Sequence, residues 1–141
     1  MREPDLIIGT PADPYLRRWW LLPRNKWFNV YLHNFIRSDN DIMHDHQYWN
    51  ISIVLKGFYL EFLKKDPEPR RPHVRTRGAI VFRRPESAHR IELYPGVVAW
   101  TLFVTGPRVR EWGFHCPKGW KRWQDFVADG KYGQVGEGCG E

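Results

Sequence analysis

Cysteine is scarce: only Cys116 and Cys139 occur in 141 residues. Neither belongs to a Cys-x-x-Cys pair, which excludes a zinc ribbon and a thioredoxin-like redox motif. Cys139 lies in the Gly-rich run 136–141, so two free thiols in a reducing cytosol are expected. Long hydrophobic runs are missing too. No apolar stretch approaches the ~20 residues that span a bilayer, and the N-terminus has no basic-then-apolar leader. These absences predict a cytoplasmic chain with no membrane partner. Acidic residues are the scarcer charge, 16 against 22 Lys and Arg, for a net charge of +6. That balance favours an anionic ligand. No dense basic run with interleaved aromatics accompanies it, so no nucleic-acid partner is expected. Internal repeats are absent, and helical periodicity is nearly so.

Aromatic residues are abundant at 16%, with eight Trp. They suit cores and pocket walls alike. The chain divides into an N-terminal arm (1–26), one barrel domain (27–128) and a flexible Gly-rich tail (129–141). Pro4, Gly9, Pro11 and Pro14 mark the arm as loop, with a short helix or an edge strand over 15–20. Alternation predicts strands over 27–36, 43–55, 58–63, 79–82, 88–93, 97–104 and 108–114, with a short helix over 120–127. Short strands punctuated by Gly and Pro turns predict an all-β antiparallel sandwich or barrel.

The chemistry concentrates at His44-Asp45-His46. Residues two apart on a strand share a face, so two imidazoles point one way, while Asp45 points to the other face. Tyr48, Asn50 and Ser52 continue the histidine face, and Trp49, Ile51, Ile53 and Leu55 form the opposite, apolar face. The apolar face is expected to be buried on another sheet or on a second subunit, which suggests a homodimer. The polar face is expected to line a cavity, with Tyr48 and Tyr59 on its walls. A third imidazole is expected from another strand. His89 opens one just after Pro85, with His33, His73 and His115 as competitors. The arginines at 83, 84, 90, 108 and 110 read as a solvated basic surface.

The spacing resembles the cupin superfamily. Its first motif, G-x5-H-x-H-x(3,4)-E-x6-G, meets His44, His46 and Gly57 here, with Ser38 at the leading Gly and Asn50 at the Glu. Its second motif is followed loosely by Gly78, Pro85 and His89. The run from His44 through Gly57, with residues 100–108 and 112–115, looks like a bacterial and phage subgroup. The resemblance implies a double-stranded β-helix (jelly-roll-like) barrel, often dimeric, with a metal inside its mouth.

On that resemblance His44, His46 and His89 are the expected ligands of a divalent transition metal. Neutral imidazoles suit Fe(II) first, with Zn, Ni, Mn or Cu as alternatives. Asn50 at the Glu position removes a negative ligand, so the cation keeps its charge and favours a small anionic substrate. Asn50, Tyr48 and Tyr59 are the candidate substrate contacts. Glu61 is a candidate fourth ligand or general base, and His115 a candidate acid/base beside the metal. The functional expectation is a metal-binding cupin of the Fe(II) dioxygenase-like type. The alternatives are a metal-free epimerase or isomerase using a histidine base, and a barrel that binds a small molecule without turning it over.

Overall fold

The computed structural model describes residues 2–10, 12–39, 42–127, 136 and 138–140. In chain order the elements are β1 (Leu6–Gly9), β2 (Pro14–Trp20), β3 (Asn29–Phe35), β4 (Asn50–Lys56), β5 (Tyr59–Leu63) and β6 (His73–Arg75). There follow β7 (Ile80–Arg83), β8 (His89–Glu92), β9 (Ala99–Thr105), β10 (Gly113–Cys116), β11 (Gly119–Arg122) and the one-turn helix α1 (Trp123–Phe126). All strand pairs are antiparallel. One sheet runs β1-β2-β3-β9-β4-β7. The other consists of β6-β5-β8 and of β10-β11, and a single residue joins the two pieces. His44 bridges to His89 on one side and to Phe114 on the other. The fold is an all-β antiparallel barrel, as the strand pattern implies. Among the described residues no helix is long and apolar enough to cross a membrane.

Alternation places the inner faces. Asn29, Tyr31, His33 and Phe35 are buried on β3; Asn50, Ser52 and Val54 on β4; Ala99, Thr101, Phe103 and Thr105 on β9. One end of the interior is apolar: Leu16, Phe35, Val54, Tyr59, Ile91, Leu93 and Ala99 pack together from both sheets. A fully buried side chain of this size contributes about 1.5–3 kcal/mol. The other end is polar and holds the histidines. At the β4–β5 turn Gly57 has φ +76°, and a Cβ there would meet the Val98 carbonyl oxygen at 2.1 Å. Only glycine fits that approach.

Several expectations need correction. The strand expected over 43–55 begins only at Asn50. The polar face of β4 is the inner one and the face of Ile51, Ile53 and Leu55 the outer one, as expected, but that outer face is half-buried to exposed rather than covered by another sheet of the described residues. Registers align this outer face into two apolar rows, Val30–Val104–Ile51–Phe82 and Leu32–Leu102–Ile53–Ile80, and Phe82 and Ile80 are 61% and 71% exposed. Residues 6–9 of the arm are a strand of the large sheet, not loop, and 14–20 take the strand alternative, as a member between β1 and β3 and not at the edge. The strand expected over 108–114 lies at Gly113–Cys116, and Trp120 belongs to β11 rather than to a helix. Cys116 and Cys139 are not free thiols but a disulfide that ties residue 139 to β10. Most of the expected tail lies outside the described residues.

Candidate metal centre

The segment around His44 carries little regular structure, yet backbone bonds fix it tightly. His44 exchanges both of its bonds with His89, each at 3.0 Å. Asp45 N donates to Gly113 O at 3.0 Å, His46 N to Pro85 O at 3.0 Å, and His115 N to Met43 O at 2.8 Å. His44 therefore fills a strand position between β8 and β10. Side chains finish the job. Asp45, 1% exposed, turns away from the histidines and accepts from Gly113 N at 2.7 Å, Trp120 Nε1 at 2.9 Å and His115 Nε2 at 3.0 Å. Arg110 pairs with the same carboxylate at 3.0 Å. A buried carboxylate with this many donors clamps the His-x-His turn onto the β10–β11 hairpin.

The three imidazoles converge. Ring centroids are 5.2 Å apart for His44–His46, 4.8 Å for His44–His89 and 5.0 Å for His46–His89. One ring nitrogen from each lies within 4.8 Å of the others, so the three could hold a metal ion. Burial, and then the neighbouring His89, hold His44 and His46 well below the ordinary imidazole value. Burial lowers His89 too, partly offset by its bond to Glu61. The set is neutral at physiological pH, the form that ligates metals. The buried His46 Nδ1 has no partner among the described residues. Neutral nitrogen donors and an unsatisfied ring nitrogen fit a divalent transition metal.

Glu61 stands behind His89. It is wholly buried, and its Oε2 bonds His89 Nδ1 at 2.5 Å. Arg83 Nε donates to Oε2 at 2.7 Å and Arg75 Nε to Oε1 at 2.9 Å. Burial opposes ionisation of Glu61, but the His89 bond and the Arg83 charge outweigh it, and the carboxyl stays well below its usual range. With the carboxylate accepting at Nδ1, His89 presents Nε2 to its neighbours. Arg83, expected on the surface, is 5% exposed. Its Nη1 donates to Asn50 Oδ1 at 3.0 Å and to Ser52 Oγ at 2.8 Å, and Nη2 to the Tyr59 hydroxyl at 3.3 Å. Burial lowers the Arg83 pKa, yet Glu61 more than restores it.

Asn50 thus faces Arg83 through its oxygen, leaving a buried Nδ2 without a protein partner. Tyr59 packs in the apolar core with its hydroxyl on Arg83. Tyr48 meets Phe103 edge-on at 6.4 Å. His115 lies on the Asp45 side, outside the imidazole cluster. The competitors lie elsewhere: His73 pairs with Asp66 at 2.7 Å, and His33 Nε2 accepts from Arg18 Nε at 2.9 Å. Sequence reasoning missed Arg83, Arg75 and the clamp at Asp45. The inward register of Arg83, two residues after Val81, was the available signal.

No family model and no curated protein matches the chain. Solved structures do. The DMSP lyase DddQ from Ruegeria pomeroyi DSS-3 superposes with a TM-score of 0.61 and 15% identity, over 79% of this chain and 57% of that one. A cupin-like protein from Thermotoga maritima MSB8 gives 0.56 and 14%, over 75% and 79%. Fe(II)-HppE with the alternative substrate (S)-1-HPP gives 0.57 and 18%, over 74% and 58%. The chain therefore spans well under two thirds of DddQ and HppE. At these identities the likeness establishes the fold, which is that of the cupins.

Two outcomes follow for stability. Glu61→Gln leaves Arg83 buried without its counter-charge and is expected to cost about 3–5 kcal/mol in urea unfolding; a cost under 1 kcal/mol would contradict the pairing. Burial, with the Arg18 charge, holds His33 well below the ordinary imidazole range. As pH falls, the unfolded chain takes up this proton before the folded one does. The stability from His33 is therefore full above pH 6.5 and is lost as pH falls below it, at up to about 1.4 kcal/mol per pH unit. Urea midpoints of metal-free protein between pH 7 and 5 are expected to decline less steeply in His33→Gln than in wild type.

Proposed function

We propose that this chain is a metal-dependent cupin enzyme that holds one divalent metal through His44, His46 and His89 and acts on a small anionic molecule. The observation that carries the reading is the convergence of three imidazole nitrogens within 4.8 Å, a set that among the described residues includes no carboxylate oxygen, the Asp39 carboxylate standing 3.8 Å from His44 Nδ1. A bound divalent ion supplies a Lewis acid with open coordination positions, and Fe(II) adds chemistry with dioxygen. The Fe(II)-HppE likeness supports iron and dioxygenase-like chemistry as the leading form of the reading.

The chain's own residues have separate tasks in this proposal. Glu61 fixes the His89 tautomer and ring plane, so it works through His89 and not as a fourth ligand. Asn50, with its oxygen occupied by Arg83, offers Nδ2–H to a substrate oxygen. Tyr48, which meets Phe103 edge-on, is the proposed aromatic contact for the substrate. Neutral ligands leave the cation's charge uncompensated, and an anionic substrate supplies the missing charge. His115 bonds Asp45 and so supports the ligand turn.

One observation favours a second reading, a metal-free epimerase or isomerase. A histidine base needs an orienting carboxylate, and Glu61 provides one to His89. Metal content separates the two. Protein purified without a His tag is expected to carry about one transition metal per chain by mass spectrometry of the elements, and His44→Ala to bind it more than about 100-fold more weakly, beyond the effect of losing an outer-shell partner. A metal-free wild type whose stability is indifferent to added Fe(II), Ni(II) or Zn(II) would leave the second reading standing.

The apolar rows on the outer face of the large sheet support a two-fold homodimer. Light scattering after size exclusion is expected to give twice the 16.9 kDa chain mass, and Phe82→Glu to give the monomer. A monomeric wild type would contradict this.

A further inference from the structure

A cavity opens against His89 and Glu61. It is a cleft of about 160 Å³ between β7 and the β5–β8 pair, and neither His44 nor His46 lines it. Glu61 and His89 form its floor, and Arg83, Arg75, Lys65 and Ser87 its polar lining. Three cations face one carboxylate, a net charge of about +2 in a partly enclosed space, where attraction for an anion is stronger than on open surface. Arg83 is fully committed to Glu61, Asn50, Ser52 and Tyr59. Arg75 is not. It gives Nε to Glu61, which fixes its guanidinium plane and leaves both terminal nitrogens without a partner among the described residues. The Lys65 ammonium and the Ser87 hydroxyl likewise bond no described residue. A guanidinium anchored at one edge, an ammonium and a hydroxyl around one small cleft make a donor set for an oxyanion.

We propose that this cleft binds a small oxyanion, of phosphate size, through the Arg75 terminal nitrogens, Lys65 Nζ and Ser87 Oγ. The site is distinct from the metal centre and does not depend on a metal being bound. His89 lines the cleft, so occupancy is felt there: the anion draws on Arg75, which bonds Glu61 Oε1 while His89 bonds Oε2 of the same carboxylate.

The test uses metal-free full-length protein and inorganic phosphate, titrated by calorimetry at ionic strength matched with chloride. One saturable phosphate per chain is expected. The side-chain nitrogen resonances of His89 are expected to shift along the titration while those of His33 stay. Lys65→Ala and Ser87→Ala, both exposed and outside the Glu61 network, keep the fold and are expected to weaken binding by about tenfold and severalfold. Arg75→Lys keeps the charge, loses the fork and is expected to weaken it further. No saturable phosphate above the chloride control overturns the proposal. So does wild-type affinity in both Lys65→Ala and Ser87→Ala. A metal-free result in the preceding subsection leaves this test unaffected.

Discussion

A carboxylate with no exposure to solvent sits in the wall of this barrel, and the polar end of the molecule is arranged around keeping it charged. Removing Glu61 from water costs several kcal/mol as an ion. Arg83, Arg75 and His89 offset that cost with three direct bonds. Each partner then organises something further. Arg83 reaches across to β4 and orients Asn50 and Ser52. His89 is held with one nitrogen engaged and the other turned to His44 and His46. Arg75 is pinned at one edge and left open at the other. The apolar core packs the opposite end, so the barrel joins a conventional hydrophobic half to a half held by buried charge.

This arrangement gives a physical account of Asn50. In the cupin motif a Glu stands at that position, and a carboxylate there would have Arg83 as its immediate neighbour. Asn supplies the neutral acceptor that Arg83 Nη1 takes, while the negative charge resides on Glu61, from β5, behind His89 instead of in the imidazole cluster. The cluster is left with imidazoles alone. A clamp of the same kind operates on the other two histidines: Asp45 gathers Gly113, His115, Trp120 and Arg110 and holds the His44–His46 turn where no regular strand does.

The sequence made the fold and the three histidines legible, for separable reasons. The His-x-His spacing, the turn glycine at 57 and the order of the motifs pointed to His44, His46 and His89 without any tertiary knowledge. What it hid depends on tertiary placement. The alternation of β4 was visible, and with it the polar inner face and the apolar outer one; what covers the outer face was not, because that depends on the neighbouring strands' exposed rows. Arg83 read as surface because arginines seldom go inside unpaired, and its partner Glu61 is 22 residues away. Asp45 read as facing the wrong way; it does, and that is how it works. The Cys116–Cys139 pairing joins β10 to a Gly-rich segment whose composition signals no structure at all.

The central claim is that three imidazoles, and no protein carboxylate, hold a metal in this barrel. Anomalous diffraction from crystals of untagged protein, collected on both sides of the iron, nickel and zinc edges, addresses it most directly. The account requires one anomalous peak about 2.0–2.2 Å from a ring nitrogen of each of His44, His46 and His89, with Glu61 still bonded to His89 Nδ1 and Asn50 to Arg83. A peak coordinated by Glu61, or no peak among the histidines after soaking in metal, would contradict it.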